Sequence, residues 1–230
     1  MMKHKLFLPL LALVAVSIFS CKREYTEGGT ILDPHVNMTT YDYLKTNKLF
    51  DTLVLLIDRT GLKDEVNSAG TFFAVSNYSI DHYIDVKKQD LEIKLNDENL
   101  VYTFDSLDYA ALKDSLRAYM FKDHILNADQ NTAGRLFKAN DGELRLVNLV
   151  PDPSYTNDIF TQAPMILYLN KMIAPSPGET IPTDSTGIGG LQDDQLLRTR
   201  CQTSGIITTT GILHVLNNGH TWTYFQNQYN

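Results

Sequence analysis

One histidine of this chain stands among acidic residues at a spacing that could serve a metal ion. Asp81, His82 and Asp85 would place an imidazole and carboxylates on adjacent turns of a helix, and zinc and other transition metals accept both kinds of ligand. No further ligand follows at a spacing typical of metal sites. The pattern therefore favours a solvated helix face, and we predict neither a metal nor another cofactor.

A nucleophilic site could be assembled from Ser204, His214 and either Asp193 or Asp194. No serine of the chain, however, lies in the Gly-x-Ser-x-Gly spacing that presents a nucleophile at a sharp turn. The glycine-rich segment 187–190 follows no predicted strand and lacks the Lys-Ser/Thr pair of a phosphate-binding loop. The sequence therefore predicts no catalytic residues, and we do not expect an enzyme.

The first 20 residues are typical of a secretion signal. Two lysines precede an apolar run over residues 6–19, which is shorter than the roughly 20 residues of a membrane-spanning helix, so a permanent transmembrane anchor is less favoured. Residues 18–21, Ile-Phe-Ser-Cys, resemble the lipobox of bacterial lipoproteins. The resemblance implies that cleavage leaves Cys21 as the first residue and that Cys21 carries a lipid. The alternative is a secreted protein in which Cys21 is an ordinary thiol.

The residues after Cys21 bear on where such a lipoprotein is delivered. Two or three acyl chains make a stable anchor, since each buried methylene adds about 0.8 kcal/mol of membrane affinity. The residue after the cysteine is Lys22 and not an aspartate, which resembles the sorting pattern of lipoproteins that are delivered to the outer membrane. Lys22, Arg23 and Glu24 partly match the export tag of some Gram-negative surface lipoproteins. We therefore expect a lipid-anchored outer-membrane protein, with exposure at the cell surface as a hypothesis.

The charge balance argues against a nucleic-acid partner. The 230 residues include 20 Lys and Arg against 27 Asp and Glu, a formal net charge of −7. Removal of residues 1–20 takes away Lys3 and Lys5, which leaves 18 basic residues and a net charge of −9. A phosphate-binding surface needs a clustered excess of basic residues, and the sequence has none.

Beyond a flexible tether over residues 21–37, the pattern predicts one α+β domain over residues 38–228, with several helices ahead of most strands. Thr39 or Thr40 caps a first short helix, and Ser76 or Asn77 caps a later one. Further helices are predicted at 50–59 and 106–120. Strands are predicted at 71–75, 119–126, 135–138, 143–150, 164–173, 195–201, 204–210, 211–216 and 221–225. Residues 174–190 contain three prolines and four glycines and indicate a long surface loop.

Two features near the C-terminus are predicted to belong to the core. Cys201 lies in a strand pattern and is most simply a buried thiol. Trp222 and Tyr224 would share one face of the last strand, where core packing is favoured over a ligand-binding aromatic strip.

Three segments, in the same order along the chain, resemble those of the fasciclin-like domain family: residues 71–77, 119–126 and 204–216. The resemblance implies a β-sandwich or wedge with helices packed around it, and a role in adhesion or binding outside the cell. In the first segment the family's asparagine, here Asn77, caps the following helix. His124 and His214 lie in the other two segments and are predicted to make hydrogen bonds in the core.

These observations predict a lipid-anchored envelope protein whose fasciclin-like domain recognises a protein or glycan non-covalently. Its partners would be the membrane, through the lipid on Cys21, and that ligand, whose contact residues the sequence does not identify. The alternative is a structural or accessory lipoprotein of an outer-membrane assembly such as an uptake or pilus system. An enzyme that uses His124 and His214 is the third hypothesis.

Overall fold

The computed structural model describes residues 33–68, 70–157, 161–174, 176 and 178–224. The predicted signal peptide, Cys21 and most of the predicted tether lie outside these residues. The described helices are α1 (Thr40–Lys45), α2 (Asp51–Thr60), α3 (Lys63–Ser68), α4 (Asn77–Leu95) and α5 (Tyr109–Arg117). The strands are β1 (Thr71–Ala74), β2 (Met120–Phe121), β3 (Arg135–Lys138), β4 (Leu144–Pro151), β5 (Met165–Met172), β6 (Leu196–Ile207) and β7 (Ile212–Leu216).

All seven strands belong to one mixed sheet in the order β2-β1-β7-β6-β5-β4-β3. The pairing of β1 with β7 is parallel, and the other pairings are antiparallel. The sheet curls until its two edges meet, because Phe121 forms an antiparallel bridge with Ala139 and Asn140 N donates to Met120 O at 2.8 Å. We call this junction of β2 with the end of β3 the seam. The arrangement confirms the predicted α+β class in a single domain.

Helix boundaries follow the capping residues that the sequence offers. Thr39 precedes α1, and its hydroxyl accepts a hydrogen bond from Asp42 N at 3.1 Å. Helix α2 ends at Gly61, whose φ of 68° is left-handed, a conformation that glycine adopts without a steric penalty. Both helices match the prediction, whereas the short, polar helix α3 has no counterpart in it.

Asn77 does not cap the helix that it begins, which corrects the prediction. Ser76 occupies the N-cap position of α4, and its side chain makes no capping hydrogen bond. The Asn77 amide instead reaches the start of α2, where Oδ1 accepts from Thr52 N at 2.9 Å and Nδ2 donates to Lys48 O, in the 3-10 turn before α2, at 2.7 Å. Because Asn77 already lies inside α4, its side chain is free to cap the first turn of α2 and so ties the two helices together.

The C-terminal segment is not a strand, contrary to prediction. Residues Trp222–Tyr224 form a 3-10 turn in which Thr223 and Tyr224 have φ values of 65° and 54°, outside the extended region that a strand requires. This turn places Trp222 and Tyr224 in the core, so the prediction of core packing is confirmed. The Trp222 ring meets Tyr83 edge to face at 5.1 Å, and Tyr224 stacks on Tyr119 at 6.2 Å.

The strands predicted at 195–201 and 204–210 are one long strand, β6, whose register against β7 shifts between Cys201 and Ile206. Gly205, with a φ of 81°, lies in this irregular part. Cys201 is buried and free, as predicted, and burial raises the pKa of its thiol. The predicted loop at 174–190 is largely exposed where it is described, and it ends in a 3-10 helix at Ser185–Gly190.

Residues 34–36, at the end of the predicted tether, pair with the end of β6. Ile207 N donates to Pro34 O, and Val36 N donates to Ile207 O, both at 2.8 Å. Among the described helices, none is both long enough and apolar enough to cross a membrane.

Candidate functional site

The residues of the hypothetical metal site lie on α4 with exposed side chains. Asp81, His82 and Asp85 face solvent, which agrees with the interpretation of a solvated helix face. Partial burial and the neighbouring Asp85 raise the pKa of Asp81, while His82 lowers it. Within the described ranges, no three His, Cys, Asp or Glu side chains are grouped so that they could hold a metal ion.

His214 is a structural residue of the core, as predicted. Its Nδ1 accepts a hydrogen bond from Gly205 N at 3.1 Å, and its Nε2 donates to Ile125 O at 2.8 Å. The ring also stacks on Phe73 with centroids 4.7 Å apart. These contacts select the neutral imidazole with its proton on Nε2, and burial lowers the pKa of His214 to about 4.

The other members of the hypothetical triad have partners of their own. Ser204 Oγ accepts a hydrogen bond from Asn127 Nδ2 at 2.7 Å. Asp193 forms an exposed ion pair with an arginine of β6 at 2.6 Å, and Asp194 is exposed. Because both ring nitrogens of His214 are occupied, His214 has no nitrogen left to accept a proton from Ser204.

His124 lies on the surface, which corrects the prediction that it makes hydrogen bonds in the core. The chain leaves the sheet at Phe121, and the side chains of the next three residues, Lys122, Asp123 and His124, are exposed. Ile125 then returns to the core and is fully buried. We call residues 122–124 the seam loop, because they follow β2 at the seam.

The seam loop is held from its buried side by β1. An ideal Cβ on Gly70 would lie 2.2 Å from Lys122 O, so the two backbones touch at a position where only glycine fits. The Thr71 hydroxyl donates to Asp123 O at 2.7 Å and accepts from Ile125 N at 2.9 Å.

The hydrogen bond from His214 to Ile125 O completes this support. Three buried or partly buried hydrogen bonds thus hold the backbone of Asp123 and of Ile125, which follows the seam loop, while the side chains of the loop remain in solvent. Polar side chains on a loop that a rigid scaffold positions are a common feature of binding sites.

The seam loop borders an open cleft of about 690 Å³. The cleft is lined by Glu65, Ser68, Arg117, Lys122, Asp123, Lys138, Ala139, Asn140 and Gly142. We call it the seam cleft.

One wall of the seam cleft is a rigid ion pair. Arg117 Nε donates to Glu65 Oε1 and Arg117 Nη2 to Glu65 Oε2, each at 3.0 Å, and Asn140 Nδ2 donates to Glu65 Oε1 at 3.3 Å. Arg117 Nη1 binds Asp114 at 3.0 Å. The hydrogen bond to Glu65 raises the pKa of Arg117 most, and the hydrogen bond to Asp114 raises it further. The group joins α3, α5 and the turn after β3, and two carboxylates bind its one cation, so it leaves no unpaired positive charge.

The two lysines of the seam cleft have no such partners. In an antiparallel pairing, the residue after one bridge partner faces the residue before the other. The bridge between Phe121 and Ala139 therefore sets Lys122 opposite Lys138. Both side chains are exposed, and neither forms an ion pair with any described residue.

A second recess, of about 280 Å³, surrounds the buried Arg145. The Arg145 guanidinium donates to Asp141 at 2.9 Å and to Glu143 at 2.8 Å. Because two carboxylates bind this cation and Lys171 pairs with Glu143 at 3.9 Å, the recess lacks the unpaired cations that distinguish the seam cleft. Tyr119, which also borders it, is buried and bound to His220 Nε2 at 2.7 Å.

Sequence reasoning did not find Lys122, Lys138 or Arg117 as site residues. They belong to separate segments of mixed charge, and no local pattern connects them. Near the seam cleft, the sequence drew attention to His124, but it predicted this side chain in the core, whereas the side chain is exposed. Compared with known proteins, the chain matches no family model and no curated sequence.

Proposed function

We propose that the chain is a lipid-anchored outer-membrane protein whose fasciclin-like domain binds a protein or glycan ligand non-covalently. The lipobox-like residues that end at Cys21 support the anchor, and three ordered segments support the family resemblance. The observation that carries binding is the seam cleft, where exposed polar side chains stand on a backbone held by buried contacts.

The histidine geometry favours binding over catalysis. Both ring nitrogens of His214 form hydrogen bonds with backbone groups. His124 is exposed and makes no hydrogen bond or ion pair with a described residue. A general base needs a free nitrogen within reach of the reacting proton and a partner that orients the ring. Neither histidine meets both conditions.

A binding assay with charge-reversal variants tests the proposal. The full chain, purified from membranes in a nonionic detergent, is presented to immobilised proteins and glycans from the cell envelope. We expect saturable binding that Lys122→Glu and Lys138→Glu weaken and that Lys48→Glu leaves unchanged, since Lys48 is exposed away from the cleft. Binding that is absent, or equal in all four proteins, would contradict recognition through the seam cleft.

The anchor is tested separately in cells. Cys21→Ala should release the protein from membranes and abolish its labelling by fatty acid, whereas Cys201→Ala, which changes the buried thiol, should leave both intact. Fatty-acid labelling that persists in the Cys21 variant rules out the assigned anchor site. Cleavage of the protein by protease added to intact cells supports surface exposure, and full protection argues for the inner face.

One observation favours the alternative of an accessory protein in an outer-membrane assembly. Helix α4 buries only its first half, and its distal end exposes Ile93 and Leu95, at 59% and 62%, close in sequence to Val101 at 80%. Such apolar exposure is typical of a contact with another protein. If Ile93→Asp and Leu95→Asp abolish a defined complex while Lys122→Glu and Lys138→Glu do not, the accessory role is favoured.

A further inference from the structure

We infer that the seam cleft takes an acidic saccharide, held through its carboxylate groups by Lys122 and Lys138. The inference rests on the proposed binding function and names the ligand class for the same site. It follows from the charges of the cleft, from the pairing register at the seam and from the kinds of side chain that line the cleft.

Among the side chains that line the cleft, three cations meet two carboxylates, in a chain that is acidic overall. Arg117 is neutralised by Glu65, through a bidentate contact, and by Asp114, which lies outside the lining of the cleft. Lys122 and Lys138 then face the single carboxylate of Asp123, whereas the chain as a whole carries −7. An anion is therefore attracted to the two lysines of the cleft, although the net charge of the chain is negative.

The pairing register adds a second argument. Like charges directly opposite each other across an antiparallel pairing destabilise it, and the bridge between Phe121 and Ala139 sets two lysines opposite each other. No described carboxylate forms an ion pair with either lysine. A bound anion between the two ammonium groups would remove the repulsion, so the arrangement becomes favourable when a ligand is present.

The lining distinguishes a saccharide from an acidic peptide. Peptide and protein ligands are usually anchored by aromatic or aliphatic groups that fill apolar pockets. Among the described residues, the only apolar side chain that borders the seam cleft is that of Ala139, and none of those side chains is aromatic. Ser68 Oγ donates to Glu65 O at 3.1 Å and Asn140 Nδ2 donates to Glu65 Oε1 at 3.3 Å, so the oxygens of both side chains can instead accept hydrogen bonds from sugar hydroxyl groups. The ionic contacts then select saccharides that carry carboxylates.

Calorimetric titration of the full chain in nonionic detergent with polygalacturonate oligomers tests the inference. Methyl-esterified oligomers of the same length are the matched neutral ligand. We expect binding of the acid form only, weakened about threefold to fivefold by Lys122→Gln or Lys138→Gln, as an exposed ion pair allows. Lys48→Gln is the matched control and should leave affinity unchanged. Raising the salt from 20 mM to 300 mM should also weaken binding.

Thermal melting without ligand gives an independent readout. Because Lys122→Gln removes the like-charge pair, we expect its Tm to rise by about 1–2 °C over the unaltered protein, while Lys48→Gln should not change it. A fall in Tm for Lys122→Gln would show that the lysines do not repel each other and would overturn the argument from register.

Two ligand results would overturn the inference. Equal affinity for the esterified oligomers would show that carboxylates are not recognised, and tighter, lysine-dependent binding of poly-glutamate would assign the cleft to acidic peptides. In both cases, the proposed function would still stand if the protein binds envelope material and if this binding depends on Lys122 and Lys138. Loss of all envelope binding would remove the proposed function as well.

Discussion

Acidification should destabilise this domain through a histidine that is buried without charge. In the folded protein His214 Nδ1 accepts the Gly205 N–H, and burial lowers the pKa of the imidazole to about 4. In the unfolded chain the same side chain has its ordinary pKa of 6.5. A proton on Nδ1 would turn the hydrogen-bond acceptor into a second donor facing Gly205 N–H, so the folded state resists protonation.

The sign and size of the effect follow from linkage. Well above pH 6.5 neither the folded nor the unfolded state holds the proton, and His214 does not reduce the free energy of unfolding. As the pH falls from 6.5 towards 4, the unfolded state gains a proton that folded His214 does not accept, so the free energy of unfolding decreases. At about 1.4 kcal/mol per pH unit, the difference between the two pKa values corresponds to a loss of about 3 kcal/mol. His220, whose pKa burial lowers to about 3, adds a second contribution of the same sign.

Urea unfolding followed by circular dichroism at several pH values between 7.5 and 4.5 measures this loss. In His214→Gln the amide can still accept from Gly205 and donate to Ile125, but it does not titrate. We expect the slope of unfolding free energy against pH to fall in this variant by up to about 1.4 kcal/mol per pH unit. His82→Gln, which changes an exposed imidazole, is the control and should keep the original slope. An unchanged slope in His214→Gln would refute the buried neutral histidine.

Two further predictions concern single contacts. Asn77→Ala removes the acceptor of the Thr52 N–H and should lower the free energy of unfolding in urea by about 1–2 kcal/mol. Asn77→Asp keeps that acceptor and should lose less, and equal losses would show that the cap is unimportant. Gly70→Ala forces a Cβ against Lys122 O and should cost about 2 kcal/mol or more in thermal or urea unfolding. Gly190→Ala, where a Cβ meets nothing within 4 Å, is the control, and equal melting of the two variants would contradict the close contact.

The elements that sequence reasoning predicted well are those determined by neighbouring residues. Thr39 caps α1 and Gly61 ends α2 because a hydroxyl or a left-handed backbone acts within one turn of its own position. The strands at 135–138, 143–150 and 164–173 were placed to within one residue of β3, β4 and β5, since each is bounded by local turn residues.

The errors occur where distant residues decide the outcome. The Asn77 side chain could cap either α4 or α2 by its local sequence. Its hydrogen bonds with Thr52 and Lys48 place it at the start of α2. The segment around Trp222 has strand-forming residues, yet burial of its rings against Tyr83 and Tyr119 favours a turn with left-handed backbone angles. Propensity is weak compared with such burial.

His124 and His214 show the same division within the candidate site. Both are histidines beside branched apolar residues, so their local sequences are alike. Pairing of β7 with β1 sets His214 beside Phe73 in the core, whereas the chain at His124 has already left the short strand β2. No local pattern could separate them.

Short continuous segments are enough to predict the helix caps at Thr39 and Gly61, and the order of such segments along the chain predicts the α+β class. The secretion signal and the lipobox-like end at Cys21 are predicted on the same local basis and stay predictions. Only the tertiary structure brings Lys122 opposite Lys138 and places both in one cleft with the Glu65 and Arg117 pair. These residues come from segments that meet because the sheet curls and closes on itself. Closure depends on the summed packing of seven strands, so the binding surface at the seam is a property of the whole fold.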